Sequence, residues 1–218
     1  MDTRRLKLEK GQGTIYHELG HFLGYIFSSF DEEADLGAVQ ALFLGFEKNC
    51  VLQNDIRYHV KGNFQEDRKY IHENTKNVKR TVAWISEVLL GCTVQCVFED
   101  KEFSSCFGLE DTKLGKFDCG NLSIVRSISK YRWDREFIDS LQNDLWLFIE
   151  KFDLIKMLMP IVQKLKEMIS TTESYQIEIT GKKIANLEED ISNRLPEGLM
   201  EEYKKLIINY SRLLLTKS

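Results

Sequence analysis

The sequence predicts a mainly α-helical domain with at most a small β element, on three observations. Apolar residues recur at helical spacing in several long segments. Only two prolines, Pro160 and Pro196, interrupt 218 residues, so long stretches are free to be helical. No internal repeat, low-complexity tract or linker rich in Gly, Pro or Ser divides the chain, and its length suits one mid-sized domain.

Taken in order, the first helix is expected from about Thr14, just after Gly11 and Gly13, to Ser28. Residues 31–63 are ambiguous: Leu36 to Phe46 is apolar on most sides, and Val51 to Val60 has strand character. Helical spacing returns from Gln65 to about Cys96, carried by Val82, Ile85 and Leu89. Glu99 to Lys116 reads as a loop, and from Asp118 the chain is expected to be helical with one short interruption. Leu141, Leu145, Phe148, Phe152 and Ile155 form one stripe. Ser174 to Thr180 breaks the pattern, and Thr180 is a fair N-cap for the helix that follows. Pro196 suits the first turn of a last helix with the stripe Leu199, Tyr203, Leu206, Ile207, Tyr210 and Leu213.

Hydrophobic residues make up 43% and charged residues 29%, the balance of a globular chain that can bury a core without disulfides. A formal charge of −4 gives no electrostatic footprint for nucleic acid. Five cysteines at irregular spacing read as free thiols of a reducing compartment. Met1 to Lys10 lacks the apolar run of a signal peptide, and neither Ala38 to Phe46 nor Trp84 to Phe98 reads as a membrane span. A cytoplasmic location is expected.

Residues 15–25 carry the chemistry: Ile-Tyr-His-Glu-Leu-Gly-His-Phe-Leu-Gly-Tyr. On a helix His17 and His21 share a face, so both imidazoles can reach one metal ion. Zinc is the expected ion, since neutral imidazole is a good zinc ligand. Glu18 is placed beside the open metal position, where it can take a proton from water and act as general base. In this composition an H-E-x-x-H arises by chance about once in one to two hundred sequences. The competing reading is two core histidines with a neighbouring glutamate, which would demand several compensating partners.

The motif resembles the active-site helix of FtsH-type zinc metalloproteases, which reads approximately A-Y-H-E-A-G-H-A. Val82 to Gly91 is similar to that family's A-G-R-x-A-E-E-x-x-x-G helix, and Leu154 to Leu195 is similar in layout to its helical C-terminal half. The resemblance implies one FtsH-like zinc metallopeptidase domain over 1–218, with a metal-site part at 1–133 and a C-terminal helical part at 134–218. It also implies an aspartate ligand in a pattern like G-A-x-N-D-L-x-x-A-T, whose counterpart is Phe117-Asp118-Cys119-Gly120-Asn121-Leu122. Strict alignment puts Asn121 at the ligand position, but amides are poor zinc ligands. Asp118, one turn earlier on the same face, is the expected third ligand, with a helix N-cap as its alternative role.

Glu87 resembles the glutamate of the family's A-E-E helix and is expected to orient a ligand histidine from behind, with direct ligation as the alternative. His59 and His72 are expected at the surface, and Cys92 and Cys96 as core thiols. Full-length family members carry an ATPase domain and a membrane anchor, and neither is visible here. Gly181-Lys182 is no phosphate loop, because Gln176 stands where the first glycine is required. The expectation is therefore a zinc metallopeptidase that hydrolyses peptides or unfolded protein by Glu-activated water, with no ATP, nucleic acid or membrane span. The alternative is a catalytically inactive, peptidase-like zinc-binding or interaction domain.

Overall fold

The first long helix, α1 (Gln12–Ser28), is enclosed on nearly every side, because Ile15, Leu19, Phe22 and Ile26 are joined in the core by Tyr16, Leu23, Tyr25 and Phe27. A computed structural model describes residues 12–52, 55–65, 77–108, 114–171 and 176–216. Among these are seven α-helices and a small three-stranded antiparallel sheet, so the fold is mainly helical with a small β element. Met1–Lys10 and His72 lie outside the described residues, as does the side chain of His59.

Within the ambiguous segment after α1, residues 31–40 are turn and irregular structure, and strands begin at Ala41. Strand β1 (Ala41–Leu52) pairs antiparallel with β2 (Asp55–Gln65), Phe46 opposite Val60. On its other side β1 receives β3 (Gln176–Thr180), with Leu42 opposite Ile179 and Leu44 opposite Ile177. All four of these side chains are buried, while Glu178 and Thr180 are exposed, the period-two alternation of a half-buried strand. The part after residue 133 thus contributes a strand to the sheet of the part before it, order β2-β1-β3.

Helix α2 (Val78–Phe98) crosses α1. It begins later than the expected Gln65, which ends β2. Asn77 decides the start: its side chain accepts from the backbone N–H of Lys79 and Arg80, meeting two orphan donors of the first turn. Val82, Ile85 and Leu89 are fully buried. Length and composition alone would let α2 cross a membrane, but 78% of its apolar window is buried inside the fold.

A short 3₁₀ turn (Phe103–Ser105) leads towards α3 (Lys116–Ile128), so the expected loop ends at Gly115. Helices α4 (Arg135–Lys151) and α5 (Leu154–Thr171) follow, then α6 (Lys182–Ser192) and α7 (Leu199–Thr216). The region after Asp118 therefore has more breaks than the single one expected. Leu141, Leu145 and Phe148 form the predicted stripe, but α4 stops at Phe152 and Asp153 takes a φ of 47°, so Ile155 belongs to the next helix. Gly181, not Thr180, precedes α6, because its φ of 53° suits glycine. Pro196 lies outside α7: its carbonyl accepts from Leu199 N–H, and the helix proper starts after Gly198. On α7 it is Leu214 that is buried, while Leu213 is half exposed.

The C-terminal helices anchor the end of α1. Phe27 meets Phe148 of α4 at 5.9 Å and Tyr203 of α7 at 5.2 Å between ring centroids. Such aromatic contacts add to burial and make the orientation of α1 a property of the whole helical layer.

Candidate metal centre

His17, Gly20, His21 and Gly24 fall on one stripe of α1 by their 3- and 4-residue spacing, and that stripe faces α2. A Cβ on Gly20 would lie 2.8 Å from the Cα of Gly91, and one on Gly24 would lie 2.6 Å from the Cα of Glu87. Both glycines are thus needed for the two helices to approach this closely. The approach brings His21 against the stretch of α2 that runs from Glu87 to Gly91.

Two atoms of Glu87 hold His21 at one ring nitrogen. Its Nδ1 lies 2.9 Å from Glu87 Oε1 and 3.2 Å from the Glu87 backbone oxygen. Both partners are acceptors, so Nδ1 carries a proton and donates it. In the neutral ring Nε2 then presents a lone pair to the other side, the tautomer that ligates metal.

Asp118 comes from the first turn of α3, the helix end where a carboxylate is favoured by the dipole. Backbone bonds from Leu114 N–H to Ser105 O and from Gly115 N–H to Cys106 O tie down the approach to that turn. Gly115, rather than Asp118, is the residue preceding the helix, so Asp118 is not its N-cap. Asn121, the position that strict alignment would have chosen, is exposed.

His17 Nε2 lies 3.1 Å from His21 Nε2 and 3.1 Å from Asp118 Oδ2, and His21 Nε2 lies 3.8 Å from Asp118 Oδ1. These three residues form a group able to hold a metal ion, the one such group among the described residues. Cys92, Cys96 and Cys106 are free and buried and belong to no such group.

Charge points the same way. Three carboxylates, Glu18, Glu87 and Asp118, surround two imidazoles. For His21, burial works against the imidazolium, but Glu87 by charge and hydrogen bond, then Asp118 and Glu18, outweigh it and raise the pKa from 6.5 to about 10. For Asp118, burial favours the acid form, yet the His17 hydrogen bond and the charges of His21 and His17 hold the carboxyl below 3.8. Burial pushes Glu18 above its usual 4.5 with help from Asp118, against the opposing pull of His21 and His17. Nε2 of His17 faces both His21 Nε2 and Asp118 Oδ2 at 3.1 Å. A cation at the centre would satisfy all three donors at once.

The structure thus brings together all the predicted residues: His17, His21 and Asp118 in the cluster, Glu18 within electrostatic reach of it, and Glu87 behind His21. Sequence reasoning missed the roles of Gly24 and Gly91. Their signal is the pair of i, i+4 spacings, Gly20 to Gly24 and Glu87 to Gly91, beside the histidine motif. The chain matches no known protein-family model, no curated protein and no solved structure.

Proposed function

We propose that this protein is a zinc-dependent metallopeptidase that hydrolyses peptides or unfolded protein without ATP. The observation that carries the reading is the convergence of His17, His21 and Asp118 next to a buried glutamate one residue after the first histidine. A tetrahedral zinc with bonds of about 2.0–2.1 Å needs donor atoms about 3.3 Å apart. The three donor separations, 3.1, 3.1 and 3.8 Å, scatter about that value. Two imidazoles and a carboxylate form a set that leaves a fourth position for water or substrate. The resemblance of the His-Glu helix to FtsH-type peptidases supports the same reading.

Zinc bound there supplies a Lewis acid for the scissile carbonyl and lowers the pKa of a water towards about 7. His17, His21 and Asp118 hold it, and Glu87 keeps the His21 ring in the ligating tautomer. Glu18 accepts the proton of the attacking water and returns it to the leaving amine. Burial raises the Glu18 carboxyl above its usual range, the direction that makes it a stronger base for this step.

The test is metal content followed by turnover. The purified protein should carry about one zinc per chain, cleave an unstructured peptide without nucleotide, lose activity to a chelator and regain it with zinc. Zinc without cleavage would leave the inactive zinc-binding domain as the function, and no zinc after reconstitution would remove both readings.

A further inference from the structure

We infer that Gly91 is a positioning residue for His21: the missing side chain at 91 is the seat on which the imidazole rests. A Cβ built on Gly91 meets the His21 ring before anything else, with Nε2 nearest, Cε1 at 2.6 Å and Cδ2 at 2.9 Å. Real Cβ atoms do not come so close, so the ring or the helix would have to move. The ring has little room to do so.

Its opposite corner, Nδ1, is pinned to Glu87, one turn before Gly91 on the same helix. Its own helix cannot back away without opening the crossing, because Gly20 and Gly24 flank His21 against Leu90, Gly91 and Glu87. The ring is therefore gripped by a single turn of α2, with Glu87 holding one nitrogen and the bare backbone of Gly91 beneath the other. Nε2, the atom nearest the added Cβ, is also the atom aimed at His17 and Asp118. A methyl group at 91 would displace the ligand atom itself, while the identities of all ligands stayed the same.

The affinity part of this inference rests on the metal-site reading, but the packing part does not, and the experiment separates them. Gly91→Ala, His21→Ala and the double variant are compared with wild type by thermal unfolding without metal. Alanine is the better helix former. If the ring is what the methyl group strikes, Gly91→Ala lowers the midpoint by about 4–10 °C in the wild-type background. The same change leaves the midpoint level or raises it where His21 is already alanine. An equal loss in both backgrounds would overturn the proposal. If Gly91→Ala fails to fold, the double variant must fold, and its failure to do so is equally fatal.

The second readout is zinc binding by folded Gly91→Ala, measured by chelator competition and by the absorption spectrum of the cobalt-loaded protein. The affinity should fall by about 10–100-fold, as when a supporting partner is removed, with a changed cobalt spectrum. An unchanged affinity and spectrum would show that the seat does not position the ligand. Wild type that binds no metal would defeat the zinc reading while leaving the unfolding comparison intact.

Discussion

Nδ1 of His21 and Oε1 of Glu87 stand 2.9 Å apart, on two helices joined by 66 positions of sequence, and both side chains are about nine-tenths buried. The Glu87 backbone oxygen adds a second acceptor at 3.2 Å. Glu87 thus fixes the proton on Nδ1, and together with Asp118 and Glu18 it favours the charged ring. Replacing Glu87 by Ala should weaken zinc binding by about 10–100-fold, and Glu87→Gln, which keeps an acceptor, should lose less. Replacing Asp118 by Ala removes a ligand oxygen and should cost more than either. Competition against a chelator of known affinity gives the ranking, and an Asp118→Ala affinity equal to wild type would move the third ligand elsewhere.

On the proposed mechanism, Glu18 serves the chemistry without holding the metal. Glu18→Gln keeps the size of the side chain and removes its basicity, so peptide hydrolysis should fall by about 10²–10⁴-fold while zinc content stays the same. Parallel elemental analysis and turnover on one unstructured peptide decide it. Full activity in the variant would end the mechanism.

The metal-free protein should lose stability towards alkaline pH. His21 has a folded pKa raised from 6.5 to about 10, so its contribution is fully present below about 6.5 and is lost as pH rises through about 10. Asp118 is shifted the other way: its contribution is present above 3.8 and disappears as pH falls through its lower folded value. Unfolding midpoints of chelator-treated protein across this range should show both limbs, and His21→Ala should flatten the alkaline one. Equal alkaline decline in that variant would assign the effect to other groups.

Gly24→Ala tests the helix crossing away from the histidine ring. Alanine gains about 1 kcal/mol of helix propensity at an ordinary helical position. Here its Cβ would lie 2.6 Å from both Cα and Cβ of Glu87. The crowding should win, with a net loss of about 1–3 kcal/mol in urea unfolding. A gain in stability would mean that α1 and α2 can part at little cost.

The sequence by itself determined the helical class and the local half of the site. Periodicity is a local property, so α1 and the buried faces of α2 and α4 could be read from spacing alone, and so could the shared face of His17 and His21. Asp118 and Glu87 were legible as candidates from a family resemblance. Which atoms they meet was decided by the tertiary structure, since the partners of His21 lie 66 and 97 residues away (87 − 21 and 118 − 21). The β hairpin and its third strand were hidden for the same reason: β1 gains its ladder from Asp55–Gln65 and Gln176–Thr180, and a short apolar run does not announce its partner. The breaks at Phe152 and Pro196 depended on backbone conformation around Asp153 and Gly198, which apolar stripes do not record. Above all, the close crossing at Gly20, Gly24 and Gly91 is a relation between two surfaces, and only packing the helices together gives an absent side chain its meaning.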